Sequence, residues 1–285
     1  MISGKINKIL TSSFVDGPGN RAVIFLQGCN FNCLYCHNPY TINECIHCGV
    51  CVEQCPADAL EMVDDKVHWI MDLCTECDTC IKVCPYSSSP KVRAMTSEEI
   101  WQGIDSAVPF LSGVSVSGGE PLLQIPFLVE FFDLIHDRSN LTTYIETNGY
   151  VKKEDMLNIL PHVDLVQVDL KCMDDELHKT LTGKSVDAVM ESIRLVHEKG
   201  KLYSVQQVIV NDFTANEKLI GSTADFLVSV DPSIRLRLVK FRPHGTIGAA
   251  ASWQSPSDEM MVDLQKTALA RGLKIVSISI EESDI

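Results

Sequence analysis

Cys29-Asn-Phe-Asn-Cys33-Leu-Tyr-Cys36-His37-Asn-Pro39 is the stretch on which the reading of this 285-residue chain turns. Three cysteines at spacings of four and three follow an apolar, strand-like run, Ala22-Val-Ile-Phe-Leu26. Three thiolates on one short loop can hold three irons of a cubane iron–sulfur cluster and leave the fourth open to a chelating small molecule. On spacing alone, a zinc loop with a distant fourth ligand, or three buried thiols, remains the alternative.

The other cysteines bear on that choice. Eleven of the twelve lie within residues 29–84, in three tight clusters. In a long chain with no leader-like apolar block near its start, this pattern reads as metal ligation rather than disulfides. Cys172 stands apart and reads as a small buried hydrophobe. The second and third clusters are Cys45-x2-Cys48-x2-Cys51-x3-Cys55-Pro56 and Cys74-x2-Cys77-x2-Cys80-x3-Cys84-Pro85. They repeat the bacterial ferredoxin run, in which the fourth cysteine of each run ligates the other cluster. One [4Fe–4S] cluster is therefore expected on Cys45, Cys48, Cys51 and Cys84, and a second on Cys74, Cys77, Cys80 and Cys55. Gly49 allows close backbone approach, and the prolines turn the chain away after each fourth ligand. Two zinc ribbons are the alternative, but they rarely show three cysteines at consecutive two-residue gaps followed by Cys-Pro.

Outside this segment the chain alternates strand and helix. Thr96 or Ser97 caps a helix to about Val108, a strand follows at 114–117, and helical spacing runs over 123–137. Strands at 141–147, 165–170, 202–210, 234–241 and 273–279 alternate with helices at 153–160, 186–199, 215–230 and 257–271. Residues 1–21 end in Asp16-Gly-Pro-Gly-Asn-Arg21, a turn-rich segment that leads into the first strand. Such β–α units imply a parallel sheet with helices outside, and six or seven are too few to close an eight-fold barrel. The expected fold is α/β: an open, partial (β/α)6 TIM-like barrel formed by residues 1–40 and 92–285. An inserted ferredoxin-like domain carrying two [4Fe–4S] clusters occupies residues 41–91.

The formal net charge is −14, which repels a phosphate backbone on average and argues against a nucleic-acid substrate. Apolar runs are short and interrupted, so no membrane-spanning helix is expected, and the reading is a cytoplasmic protein.

In barrels of this kind, polar residues just past strand C-termini carry the chemistry. The second strand delivers Ser117-Gly118-Gly119-Glu120. The paired glycines admit a ligand close to the backbone, and Glu120 supplies an anion for an ammonium group. Glu146 and Thr147 end the next strand, where a plain Asx-type turn is also consistent with Asn148-Gly149. Asp169 and Lys171 are two apart on a strand and share a face, so both can reach one ligand. A surface ion pair is the alternative.

These residues together resemble the glycyl-radical-enzyme activating enzymes of the radical S-adenosylmethionine (SAM) family. The cysteine triplet with Tyr35 before its third member, Cys-His-Asn-Pro after it, Asp-Gly-Pro-Gly before it and Ser-Gly-Gly-Glu carry the resemblance. It implies that Cys29, Cys33 and Cys36 hold a cluster whose open iron takes the amino and carboxylate groups of SAM. It further implies SAM contacts from Tyr35, His37, Ser117, Gly118, Gly119, Glu120, Glu146, Thr147, Asp169, Lys171 and His244. A bound cation near Glu146 and Thr147, an ion pair of Lys171 with the SAM carboxylate, and a place by the adenosine for His244 belong to the same expectation. The implied reaction is reductive cleavage of SAM to a 5′-deoxyadenosyl radical, which takes hydrogen from a glycine Cα of a partner enzyme. The products are methionine, 5′-deoxyadenosine and a glycyl radical. The implied partners are a glycyl radical enzyme, presented through a C-terminal loop, and flavodoxin or ferredoxin as reductant, with the chain itself a monomer. A weaker echo is His178-x4-Thr182-Gly183-Lys184. More narrowly, Phe25-Leu-Gln-Gly-Cys29, Gly113–Gly119, His244-Gly-x3-Ala249 and Ser252-Trp253 resemble YjjW-type activating enzymes, which are associated with the YjjI-type glycyl radical protein. The chain departs from the common pattern after its fifth strand, where Val208-Ile-Val210-Asn211-Asp212 replaces an Ile-Pro-Gly-like segment. Another radical SAM enzyme, acting on a peptide or RNA, and a non-catalytic electron carrier are the competing functions.

Overall fold

The computed structural model describes residues 2–279, which fall into two compact units. The first comprises Met1–Asn30 and Asn38–Leu134, the second Phe31–His37 and Ile135–Ile285.

In chain order the first unit contains β1 (Ser3–Ser13), β2 (Arg21–Leu26), β3 (Leu60–Val63), β4 (Lys66–Trp69), a one-turn helix α1 (Thr79–Lys82), β5 (Arg93–Thr96), α2 (Ser97–Ile104) and β6 (Gly113–Gly118). It also holds most of α3 (Ile125–Arg138), whose last turn belongs to the second unit. Strands β6, β2, β1 and β5 lie side by side, with β2 parallel to β6 and antiparallel to β1. The β2–β6 register sets Leu26 opposite Gly118, so the ends of both strands come level where Cys29 and the Ser-Gly-Gly-Glu segment begin.

The turn-rich segment expected before β2 lies over residues 14–20, but the residues before it form β1, an eleven-residue strand that the sequence reading did not name. Its sequence, Ser-Gly-Lys-Ile-Asn-Lys-Ile-Leu, is too polar to announce a strand. It forms because β2 and β5 supply partners on both edges, a non-local cause that composition does not carry. Arg21, completely buried, ties the Asp16–Gly19 turn to β6. Its guanidinium donates to Ser115 Oγ (2.8 Å), Val114 O (2.9 Å) and Pro18 O (3.2 Å).

Thr96 caps α2 in a capping box: Glu99 N–H donates to Thr96 Oγ1 at 3.3 Å, and Thr96 N–H donates back to Glu99 Oε2 at 2.8 Å. The α-helix stops at Ile104 rather than Val108, because Pro109 lies in the 3-10 turn that follows.

The second unit contains β7 (Thr142–Thr147), α4 (Lys153–Ile159), β8 (Leu165–Asp169), α5 (Asp175–Thr182), α6 (Asp187–Glu198), β9 (Leu202–Ile209), α7 (Glu217–Val230), β10 (Arg235–Lys240), α8 (Asp258–Ala270) and β11 (Ile275–Ile278). Its strands stand in the order β11-β10-β9-β8-β7, and each pair is parallel. The alternation read from hydrophobic periodicity is thus present, with ends shifted by a residue or two. The extra helix, α5, has only two strongly apolar residues, Leu177 and Leu181, although they share one face. Asp174 caps it through Leu177 N–H, and Gly183 (φ +82°) ends it. Among the described residues no helix is long and apolar enough to cross a membrane.

Candidate functional site

In the first unit, Cys29 follows β2 through Gly28, and that exit is pinned by backbone. Gly28 N–H donates to Thr41 O (2.8 Å) and Cys29 N–H to Ile42 O (3.0 Å). The end of β6 closes over the same place: Gly119 N–H donates to Leu26 O (3.0 Å) and Glu120 N–H to Gly28 O (2.7 Å). The approach is so close that only glycine fits. A Cβ on Gly119 would lie 2.1 Å from Gly28 O, and one on Gly118, at φ +117°, would lie 2.4 Å from Leu26 N. Ser117 is half-buried, whereas Glu120 is buried, with Oε1 accepting from Leu122 N–H at 2.9 Å to cap the short turn after it.

The sequence reading missed Gln27, which is buried at the same strand end. Its Nε2 donates to Tyr40 O (2.8 Å) and Asn43 O (2.5 Å), and its Oε1 accepts from Asn7 Nδ2 (2.7 Å). It fastens the chain that returns from the cysteine loop. A polar residue at the end of an apolar strand was the available signal.

In the second unit, residues 31–37 dock onto the turn after α5 and the end of β10. Asn32 N–H donates to Thr182 O and Leu34 N–H to Leu181 O, both at 3.0 Å, and Cys36 N–H closes a turn onto Cys33 O at 3.1 Å. Phe31 lies edge-on to the buried His178 ring, with centroids 5.6 Å apart. His178 Nδ1 is 2.7 Å from Lys184 O and so carries the proton, which gives the His-x4-Thr-Gly-Lys segment a structural use: it supports the loop. Tyr35 is buried with Cys172, Leu181, Val210 and Phe241. Gly245 (φ +80°) approaches His37 so closely that a Cβ would lie 2.4 Å from His37 O, which places the exposed His244 beside the loop's end.

Lys171 and Asp169 form the expected pair, Nζ to Oδ2 at 2.8 Å, partly buried rather than on the surface. Burial opposes the Lys171 charge, but the Asp169 carboxylate outweighs it and holds the ammonium protonated above the ordinary range. Burial likewise pushes the Cys33 thiol up to about 12, against the pull of Lys171. A bare thiolate is therefore disfavoured at Cys33 until further positive charge arrives, as a cluster iron supplies. Two buried polar atoms of the same loop, Tyr35 Oη and His37 Nε2, have no hydrogen-bond partner among the described residues. Thr147 Oγ1 accepts from Gly149 N–H (3.0 Å) and Asn148 Oδ1 from Tyr150 N–H (2.8 Å), the turn anticipated there. Glu146 is half-buried just before it.

The remaining cysteines line two hollows within the first unit. One is lined by Cys45, Cys48, Cys51 and Cys84; the other by Cys55, Cys74, Cys77 and Cys80. Cys84 thus lies in one hollow with Cys45, Cys48 and Cys51, and Cys55 in the other with Cys74 and Cys77, while Cys80 lines both. No three His, Cys, Asp or Glu side chains among the described residues converge where a single metal ion could be held. None of the twelve cysteines is in a disulfide.

The backbone repeats as the sequence does. At an offset of 29 residues, left-handed residues recur in pairs: His47 with Glu76, Gly49 with Asp78, and Asp58 with Ser87. These conformations turn amides toward sulfur: His47 N–H points at Cys45 Sγ (3.4 Å), and Ala59 N–H at Cys55 Sγ (3.3 Å). Such contacts tune a cluster held there. The ends of residues 41–91 meet, Asn43 bridging to Ser88, as an insertion requires.

Comparison with known proteins accords with this geometry. The sequence model of the radical SAM superfamily matches residues 23–227. The (2S)-3-sulfopropanediol dehydratase activating enzyme of Klebsiella oxytoca is 34% identical, over 79% of this chain and 77% of its own. The indoleacetate decarboxylase activating enzyme of Tractidigestivibacter scatoligenes is 29% identical, over 96% of this chain and 97% of its own. Among solved structures, a domain of the pyruvate-formate lyase-activating enzyme from Bacteroides vulgatus superposes with a TM-score of 0.52 at 25% identity, covering 59% of this chain and 99% of that one. QueE from Escherichia coli shares the fold at 16% identity and a TM-score of 0.55, covering 98% and 95%. The chain belongs to the radical SAM superfamily and, within it, to the activating enzymes of glycyl radical enzymes. Membership implies a [4Fe–4S] cluster and SAM, in a TIM-like partial barrel.

Proposed function

We propose that Cys29, Cys33 and Cys36 hold the SAM-binding cluster and that the chain activates a glycyl radical enzyme. The observation that carries the site is the pair beside the cysteine loop: Lys171 Nζ lies 2.8 Å from Asp169 Oδ2, partly buried, and its charge acts on the half-buried Cys33. Lys171 receives the SAM carboxylate, and Asp169 orients it. Ser117, Gly118, Gly119 and Glu120 offer backbone and carboxylate to the amino group, while Glu146 and Thr147 line the next strand end. Tyr35, His37 and His244 bound the adenosine side, where buried polar atoms of the loop await partners. When bound, the cluster and SAM supply a 5′-deoxyadenosyl radical that takes hydrogen from a glycine Cα in a partner's C-terminal loop, leaving methionine, 5′-deoxyadenosine and a glycyl radical. The protein's share is to hold the reactants in one geometry and keep water from the path.

Residues 41–91 are read as an inserted ferredoxin-like domain. One [4Fe–4S] cluster sits on Cys45, Cys48, Cys51 and Cys84, the other on Cys55, Cys74, Cys77 and Cys80, three clusters in all. The gathering of these eight cysteines around two hollows, with Cys80 lining both, supports this. Flavodoxin or ferredoxin serves as reductant to a monomeric, cytoplasmic enzyme of the YjjW type with no nucleic-acid partner. The clustered free thiols favour that compartment.

The test uses anaerobically reconstituted, reduced protein with SAM and a candidate glycyl radical enzyme. A glycyl doublet in electron paramagnetic resonance, with 5′-deoxyadenosine released in parallel, is the expected result. Nucleoside without a doublet from any such partner rejects the activase. Cys33→Ala should abolish nucleoside release, and a variant that still releases it refutes the cluster assignment.

A further inference from the structure

Gln167, in the middle of β8, is completely buried and has no part in the assignments above. Its Oε1 accepts three hydrogen bonds from three other strands: Tyr144 Oη on β7 (3.0 Å), Ser204 Oγ on β9 (3.1 Å) and Arg237 Nη1 on β10 (3.1 Å). With three donors gathered on the oxygen, the amide has one orientation, because the NH2 group cannot face them. Its Nε2 is thereby turned to Asp169 Oδ1, at 3.4 Å. Gln206, in register opposite Asp169 on β9, brings its own Nε2 to the same oxygen at 3.3 Å. The other carboxylate oxygen takes Lys171 Nζ at 2.8 Å.

We propose that Gln167 and Gln206 are positioning residues: their two amides fix the Asp169 carboxylate so that Lys171 is aimed at the carboxylate of SAM. The inference rests on the reading of Asp169 and Lys171 given above. Each amide contact is at the long end of hydrogen-bond distance, and the two act as a pair on one oxygen. An amide suits the task because it donates without charge. A second cation at either place would compete with Lys171 for Asp169, and a carboxylate would repel it. Arg237 is held off Asp169 by the same arrangement, since the Gln167 oxygen receives it first.

The experiment is equilibrium binding of SAM to the anaerobically reconstituted full chain, with steady-state kinetics alongside. Gln167→Glu and Gln206→Glu each keep the acceptor but set a carboxylate against Asp169 Oδ1. Each is expected to weaken SAM binding about tenfold, the scale of one charge-assisted hydrogen bond. The rate at saturating SAM should stay within about threefold, so that the loss appears in KM. The swapped pair Gln206→Glu with Asp169→Asn restores one donor facing one acceptor at unchanged net charge, and should return the affinity to within about threefold of wild type. A merely structural role gives no such rescue. Gln206 is only half-buried, so its variants decide the matter if Gln167→Glu does not fold. Wild-type affinity in the folded Gln→Glu variants, with binding lost in Asp169→Ala, overturns this inference and leaves the site standing. Wild-type affinity in Asp169→Ala overturns both.

Discussion

Strands β9 and β10 of the second unit bury Val205, Ile209, Leu236 and Leu238 completely, whereas residues 41–91 bury few hydrophobic side chains at all: Cys51, Ala59, Leu60, Val67 and Cys80. The same segment leaves Ile46, Val50, Met62, Val63, Met71, Leu73 and Tyr86 exposed. All seven non-glycine residues with left-handed backbone (His47, Asp58, Asp64, Asp65, Glu76, Asp78 and Ser87) also fall within it. Each such residue costs roughly 1–2 kcal/mol. One region folds by burying hydrocarbon. The other needs something else, and the proposed metal binding by its cysteines would supply it, because metal-binding free energy is folding free energy in small domains.

The largest expected effect breaks the molecule along that line. Iron chelation under anaerobic conditions should cost residues 41–91 their amide protection by orders of magnitude, while β8 and β9 keep theirs. Hydrogen exchange with mass-spectrometric readout separates the two regions. Unchanged protection at Ala59 and Ile70, which hydrogen-bond to each other across this segment, would mean the thiols do not fold it.

Two glycines draw the contrast at single residues. Gly118→Ala puts a Cβ 2.4 Å from Leu26 N, a backbone atom that cannot move aside, at φ +117°. It should cost about 3 kcal/mol or more, a fall in Tm of roughly 10 °C, or prevent folding. Gly49→Ala, at φ +80°, meets only the flexible Met62 side chain at 3.6 Å and should cost about 1 kcal/mol, from the backbone conformation alone. Equal losses in thermal unfolding would erase the distinction between a packed strand end and a loop shaped by its ligands.

These contrasts also explain what could be read in advance. Cysteine spacing is local, so the crossed sets of Cys45, Cys48, Cys51, Cys84 and Cys55, Cys74, Cys77, Cys80 could be proposed before any coordinates. The β/α alternation was legible because apolar faces repeat at local periods. Arg21, Gln27 and Gln167 were not. Each is polar and buried, and its partners lie on other strands or on segments folded back against it; only Gln27, a polar residue ending an apolar strand, carries a local mark. The strand β1 escaped for the same reason: its partners, not its residues, make it extended. At the loop, Lys171 and Asp169 were readable as a pair two apart, but not their closeness to Cys33, which depends on how residues 31–37 dock.

A smaller effect belongs to the second unit. Asp164 Oδ2 accepts from Thr143 N–H (2.8 Å) and Thr143 Oγ1 (3.1 Å) and lies 3.0 Å from His136 Nε2, joining β7 to the start of β8. Burial would raise its carboxyl, but Thr143 and His136 outweigh burial and hold it below the usual range. A lowered carboxyl stabilises the folded state above the unfolded value near 3.9 and loses that contribution as pH falls through the lower folded value. Asp164→Ala should therefore cost about 1 kcal/mol at pH 7, discounted for partial exposure, and less as the pH drops below about 4. Thermal unfolding of the iron-free chain at both pH values is the check, and a cost independent of pH would reject the electrostatic account.

The smallest effect returns to the inserted segment and to its two halves. Glu76 is exposed, left-handed at φ +54°, and occupies the place of His47 in the repeat. Glu76→Gly removes an unfavourable backbone conformation at no cost in contacts, a gain of about 0.5–1 kcal/mol once the freer unfolded chain is allowed for. If cluster binding is what holds this backbone, the gain should appear as iron release slowed roughly two- to fivefold under a chelator. His47→Gly relieves the same conformation but also removes the ring nitrogen that accepts from Val67 N–H at 3.0 Å, so the two changes should nearly cancel. Iron release rates for the pair separate backbone relief from side-chain loss. Equal slowing in both would mean that the His47 hydrogen bond holds nothing, and no slowing in either would mean that the left-handed turns are not where this segment is strained.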